Sequence, residues 1–222
     1  QKGWQDTISG EFAVDLDPGC ERVFDTMTKR YVAETYAQSA VEGVIELAVE
    51  HDIAADEVDS IHLDTFAGAK LIIGGGEGSR YEVETKAQAD HSLPYMLAVA
   101  LIDRELTNAA YEPERIRSED VQELLRTVTV DEDPAFTERF EHGEMPARVE
   151  IELDAETTHT VEKSAFRGHP TDPMDWADVE AKFHEMAGER YDDTYRYGFV
   201  DTVRTLEQYD ATDLTELFDI PA

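Results

Sequence analysis

The sequence predicts an α+β fold, and three observations lead there. Strand-like alternation is concentrated in the middle of the chain, at 58–66, 126–130, 148–153 and 157–163, while helical three-and-four spacing extends towards both ends. The hydrophobic share is 41% and spread along the whole length, so apolar material is available to every element. With 222 residues, folding hides about 70% of the surface an unfolded chain exposes, enough for a true core without staples.

The elements follow in order. Residues 1–23 mix Gly3, Gly10, Pro18 and Gly19 with isolated apolar residues and read as a loop that leans on something else. From Tyr31 to His51, the spacing of Val41, Val44, Ile45, Ala48 and Val49 predicts an amphipathic helix of about five turns. Val58, Ile61, Leu63 and Thr65 then mark a strand. The run Gly74 to Gly78 reads as a loop; a phosphate cradle would need a following lysine and hydroxyl, and the neighbouring charge is acidic. A second helix is predicted over His91–Arg104, with Pro94 in its first turn and Leu93, Met96, Leu97, Ala100 and Leu101 on one face. A short helix at Ser118–Leu125 carries a serine cap. Strands at Arg126–Val130, Arg148–Leu153 and Thr157–Lys163 come next, the last two forming a hairpin around Asp154-Ala155-Glu156. Helices at Asp175–Ala187, Asp192–Tyr209 and Thr212–Phe218 close the chain, the first ending at Gly188. The organisation expected is an α+β domain over 24–170 and closing helices over 171–222.

Charge narrows the function classes. Asp and Glu number 51 against 19 Lys and Arg, a net of -32 distributed over every segment, which disfavours nucleic acid and other polyphosphate partners. Such self-repulsion is relieved where the screening length shrinks from about 8 Å to about 3 Å in molar salt, so the composition fits a salt-rich cytoplasm. Lysine is scarce, at 2, 29, 70, 86, 163 and 182, and a lysine in a pocket-like context is therefore informative. Cys20 is alone and cannot form an internal disulfide. No apolar run is long enough for a bilayer, so no membrane association is expected. The chain opens on Gln1, which reads as a trimmed terminus or a fragment.

Seven histidines share no metal-ligand spacing with one another or with Cys20, so no metal and no cofactor is expected. No nucleophile elbow is present. Two clusters carry more chemistry. In Lys86 to Leu101, Asp90, His91, Ser92 and Tyr95 crowd the first turns of an apolar helix, where exposed amides favour anions and a phenol can donate a proton. The plainer alternative is that Asp90 or Ser92 caps the helix and Tyr95 belongs to the core. In Lys29 to Ala40, Lys29 and Arg30 offer a local positive patch for a polycarboxylate, with Glu34 and Gln38 on one helix face. The alternative there is a surface salt-bridge cluster.

Taken together, ADHSLPYMLAVAL followed by Thr107, Tyr111 and Ile116 resembles the most recognisable stretch of the MmgE/PrpD family, and KRYVAETYAQSAVEG resembles its upstream pocket segment. Gly168-His169-Pro170 with Pro173-Met174, Val179, Lys182 and Phe183 is similar to the stretch before the family's final helices, and Asp133 to Thr137 adds a weaker likeness. The resemblance runs from about residue 20 to 205. It implies a small α+β domain and closing helices of an all-helical domain whose remainder, with further catalytic residues, lies in an N-terminal half outside this chain.

By that resemblance Lys29 and Tyr95 are the catalytic residues, and Arg30, Glu34, Gln38, His91 and Ser92 bind substrate. Val32 departs from the usual proline. Glu34 stands where the decarboxylase branch has histidine, which leans towards dehydratases. The implied activity is a metal-free hydro-lyase reaction, 2-methylcitrate to 2-methylaconitate and water in propionate breakdown, with Tyr95 serving the departing hydroxyl. Alternatives are another polycarboxylate enzyme of the family, a cis-aconitate decarboxylase or an epimerase, or a non-catalytic binding or dimerisation module. The expected partners are a small polycarboxylate and either a second copy or the N-terminal half, in the cytoplasm.

Overall fold

The computed structural model describes residues 10, 21–76, 79–154, 157–210, 212 and 215. The expected loop at 1–23 and the last helix at Thr212–Phe218 thus fall largely outside the described residues. At the start, Glu21–Asp25 forms a short 3-10 helix.

The helices are α1 (Gln38–Glu50), α2 (Ala67–Ile72), α3 (Lys86–Ala89), α4 (Leu93–Asp103), α5 (Pro113–Ile116), α6 (Glu119–Leu124), α7 (Pro134–Glu141), α8 (Trp176–Ala187) and α9 (Asp193–Arg204). The strands are β1 (Ser60–Thr65), β2 (Val128–Glu132), β3 (Ala147–Asp154) and β4 (Thr157–Lys163), in the order β2-β1-β3-β4. β1 runs parallel to β2, with Ile61 opposite Val128, and antiparallel to β3, with Leu63 opposite Val149. The expected β3–β4 hairpin is present, with Val149 opposite Val161. The α+β class read from the sequence is therefore the class observed.

One face of the sheet carries Ile61, Leu63, Val128, Val130, Val149 and Ile151, all buried. The period-2 alternation puts His62, Asp64, Thr129 and Arg148 on the other face, where Arg148 pairs with Asp64 at 2.6 Å and His62 meets Thr129 at 2.8 Å. α1 and α4 cover the apolar face. Gly43 permits the close approach of α1, since a Cβ there would lie 3.1 Å from Val161 and 3.3 Å from Val149.

Several boundaries differ from the expectation, each for a local reason. The first long helix starts at Gln38, after a 3-10 turn at Thr35–Ala37, and not at Tyr31. The Gln38 amide folds back, accepting from Tyr31 N at 3.0 Å and donating to Tyr31 O at 3.1 Å, so residues 31–33 satisfy their backbone without a helix. Glu34 caps the 3-10 turn by accepting from Tyr36 N at 2.6 Å. Glu34 and Gln38 therefore do not share a helix face. α4 buries every residue from Leu93 to Leu101 rather than one face, and ends at Arg104 in the left-handed region, φ 57. Ser118 does not cap α6; its hydroxyl donates back to Arg115 O at 2.7 Å. The strand expected at 126–130 lies at Val128–Glu132, preceded by a 3-10 turn. α2, α3, α5 and α7 were not expected, being four to eight residues long and too short to show a helical period. The helix expected over 192–209 stops at Arg204, with a 3-10 turn at Leu206–Gln208. Among the described residues, no helix is long and apolar enough to cross a membrane.

α8 does not stand apart from the 24–170 unit. Asp175 caps it through Asp178 N at 3.0 Å, Arg167 grips Asp178 at 2.6 Å, and Arg30 lies 3.8 Å from Glu185. Neither α8 nor α9 contains a buried residue.

Candidate active site

A cleft of about 390 Å³ opens between the 29–34 loop, the α3 end with the turn into α4, Tyr111 and α8. Three of the chain's six lysines line it: Lys29, Lys86 and Lys182. Each arrives on a different element, which is why no local sequence window displays the group.

Lys29 sits on the loop that the Gln38 amide holds in shape, and its Nζ donates to Ala33 O at 3.0 Å. Lys182, on α8, donates to the carbonyl of Lys29, so two cations are drawn to one wall. Burial, and then the charges of Lys29 and Arg30, pull the Lys182 ammonium below its usual value, with Glu185 opposing. Lys86 projects over the Tyr111 ring at 4.7 Å and lies 3.5 Å from Asp90. Asp90 also meets His91 Nδ1 at 2.6 Å. With Nδ1 turned to a carboxylate, the second ring nitrogen of His91 is the one left for proton exchange, an assignment inferred from this contact. The Tyr111 hydroxyl donates to Val32 O; burial, and next the Asp90 charge, raise its pKa and keep the phenol neutral.

The structure brings Lys29, Glu34 and His91 to this cleft and leaves the other sequence-derived candidates elsewhere. Tyr95 is fully buried, and its hydroxyl donates to Ala110 O. Its ring stands 6.4 Å from that of Tyr111 and off the cleft wall, and burial pushes its pKa up to about 12. The expectation of a cleft-facing phenol at 95 is thus corrected: a tyrosine three positions into a helix buried all round has no solvent face to occupy. Ser92 is buried as the cap of α4, accepting from Tyr95 N at 3.2 Å and donating to Arg80 O at 2.5 Å. Gln38 is buried and engaged with Tyr31. Arg30 lines an adjoining recess of about 260 Å³ with Arg104, Thr107 and Glu185.

Sequence reasoning assigned no role to Lys86, Lys182 or Tyr111. A signal existed for the lysines, namely their rarity among 51 acids. For Tyr111 the signal was its place beside ADHSLPYMLAVAL in the family-like stretch, which marks the position but not a role.

Three ammonium groups of separate origin can hold two or more carboxylates as point charges, and the His91–Asp90 pair can pass a proton at the mouth. Among the described residues, no group of three or more His, Cys, Asp or Glu is placed to hold a metal ion.

Comparison with known proteins gives a consistent neighbourhood. A family model described as the MmgE/PrpD C-terminal domain matches residues 31–208. The chain is similar to 2-methylcitrate dehydratase of Salmonella typhimurium, 29% identical over 120 residues, covering 53% of this chain and 24% of that protein. It is similar to 2-methylcitrate dehydratase of Escherichia coli, 28% identical over 120 residues, with shares of 53% and 24%. It is also similar to cis-aconitate decarboxylase of Mus musculus, 25% identical over 140 residues, 63% of this chain and 28% of that protein. These matches span about a quarter of the length of the relatives.

Proposed function

Since the chain belongs to the MmgE/PrpD family, we propose that it supplies the lysine-rich wall of a polycarboxylate site in a hydro-lyase converting 2-methylcitrate to 2-methylaconitate and water. The observation that carries this reading is the gathering of Lys29, Lys86 and Lys182 on one cleft in a protein of net charge -32. On a protein this acidic, a local cationic group both attracts and orients a tricarboxylate.

In the reaction, Lys29 and Lys182 hold the substrate carboxylates on the α8 side, and Lys86 holds another across the cleft. A base outside this chain removes the C–H proton. The carbon–oxygen bond breaks, the electron pair leaves with the hydroxyl, and His91 delivers a proton so that water departs. Asp90 accepts from the Nδ1–H of His91, so the ring delivers its proton from Nε2–H as the imidazolium and is left neutral. Tyr95 then acts from behind, holding the Ala110 carbonyl and backing the Tyr111 wall. Arg30 and Glu34 complete the entrance. The site is finished by the remainder of the protein or by a second copy, which covers Trp176 and Tyr197, 53% and 60% exposed on α8 and α9.

The test is turnover by the intact protein that carries this chain, with 2-methylcitrate and cis-aconitate offered in parallel. The expected result is unsaturated tricarboxylate from 2-methylcitrate only, with kcat/KM falling at least about tenfold in Lys29→Ala, the loss of one charged contact. Release of carbon dioxide from cis-aconitate would assign the decarboxylase reaction instead, and an unchanged Lys29→Ala would remove the lysine wall from the mechanism.

A further inference from the structure

Residues 166–172 form a tight buckle that no part of the reaction uses. Thr28 N donates to Gly168 O at 2.8 Å, Gly168 N to Asp172 O at 2.7 Å, and Asp172 N to His169 O at 2.9 Å. Gly168 has φ +114, and a Cβ there would run into the Thr28 carbonyl, so the 28–29 backbone lies directly against a position that only glycine fills without strain. His169 is buried, 3% exposed. Its Nδ1 accepts from Thr171 N at 3.2 Å, which puts the proton on Nε2, facing Gly143 O at 3.0 Å. Beside it, Arg167 binds Asp172 at 2.7 Å and Asp178 on α8 at 2.6 Å, while its amide donates to Glu42 on α1 at 2.8 Å. One turn therefore grips both the loop carrying Lys29 and the helix carrying Lys182.

We propose that Gly168 and His169 are positioning residues for the cationic cleft: the buckle they form sets the spacing of Lys29 and Lys182, and through it the fit of a carboxylate. The chemical importance of that spacing rests on the function proposed above, but the spacing itself does not. Neither residue touches the cleft.

The experiment is competitive acetylation of the intact protein with trace acetic anhydride, read lysine by lysine by mass spectrometry, in wild type, Gly168→Ala, His169→Leu and His169→Gln. Gln keeps an amide donor for the Gly143 carbonyl; Leu keeps neither polar contact. Separating Lys182 from the charge of Lys29 lowers its neutral fraction, so its labelling rate relative to Lys70, which is engaged with Val130 O on another element, should fall about threefold. That fall is expected in Gly168→Ala and His169→Leu, with His169→Gln close to wild type. Folded Gly168→Ala and His169→Leu proteins with unchanged labelling would overturn the proposal. Unfolding of both would also overturn it, because the buckle would then hold the whole fold and not the cleft.

A kinetic arm separates this from a plain stability role. Displaced lysines raise KM for the polycarboxylate about tenfold, whereas a reduced folded fraction lowers apparent kcat and leaves KM alone. If the wild type binds no polycarboxylate, the function proposed above fails while the labelling result still decides the buckle.

Discussion

α4 and α8 are helices of eleven and twelve residues, and they stand at opposite extremes of burial. α4 hides every residue from Leu93 to Leu101, while α8 has none buried and is held to the body chiefly by Arg167, Arg30 and Lys182. α8 lines the cleft directly, whereas α4 only follows the Asp90–His91 turn that does. The recognisable ADHSLPYMLAVAL string thus contributes framework for most of its length and meets the cleft only through Asp90 and His91, whereas the chemically richer wall comes from the polar-held α8. A motif that is easy to recognise is easy because the core constrains it; the groups that meet a substrate can sit on the less constrained partner.

That contrast can be broken in several ways. The largest effect is expected for Leu97→Ala in α4, about 3 kcal/mol by urea denaturation, because a buried leucine leaves a cavity in a close-packed helix. Val179→Ala in α8, where the side chain is 40% exposed, should cost under about 1 kcal/mol. Equal losses would erase the distinction. Next, Lys29→Ala should raise KM about tenfold with stability within about 0.5 kcal/mol, since an exposed loop lysine carries little of the fold. Tyr95→Phe should do the reverse, losing about 1 kcal/mol with its bond to Ala110 O while KM is unchanged. A large fall in kcat for Tyr95→Phe would bring that phenol back into the chemistry.

Potassium chloride should raise Tm, as the screening length drops from about 8 Å to about 3 Å at 1 M; a flat Tm would contradict the salt-adapted reading of the charge. The smallest effect expected concerns pH. Lys182 is held below the ordinary lysine value of 10.5 by burial, and next by Lys29 and Arg30. The unfolded chain therefore binds the extra proton between the lowered value and 10.5, so this group's contribution to stability grows as pH rises through that window. Carboxylate affinity should move the other way, declining on the alkaline side before a free lysine would titrate. Isothermal titration of citrate across pH 8–10 checks the sign, and Lys182→Arg should flatten the decline.

Much of the fold was legible in the sequence. Thr157 to Lys163, set off in the sequence by Asp154-Ala155-Glu156, pair as expected with β3, and Pro94 with Ser92 announces the start of α4. Less visible was whatever depends on long-range or side-chain-to-backbone bonds. Tyr31 to Ala33 carry helix-compatible residues, yet the Gln38 amide takes their backbone groups and unwinds the start. The burial of Tyr95 was undecidable locally, because phenols at a helix start serve equally well as core or as donors. Lys86 and Lys182 lie nearly a hundred positions apart, and only the return of α8 brings them to one cleft.

The parallel pairing of β1 with β2 has a kinetic consequence. His62 and Thr129 meet across 67 positions, so closing this pair demands a large loss of chain entropy before any contact repays it. The β3–β4 hairpin and α1 need no such closure and are the segments able to form early. Assembly then waits on the closure of β1 against both β2 and β3, and a chain interrupted before Val128 would leave both edges of β1 unpaired and open to strands of other molecules.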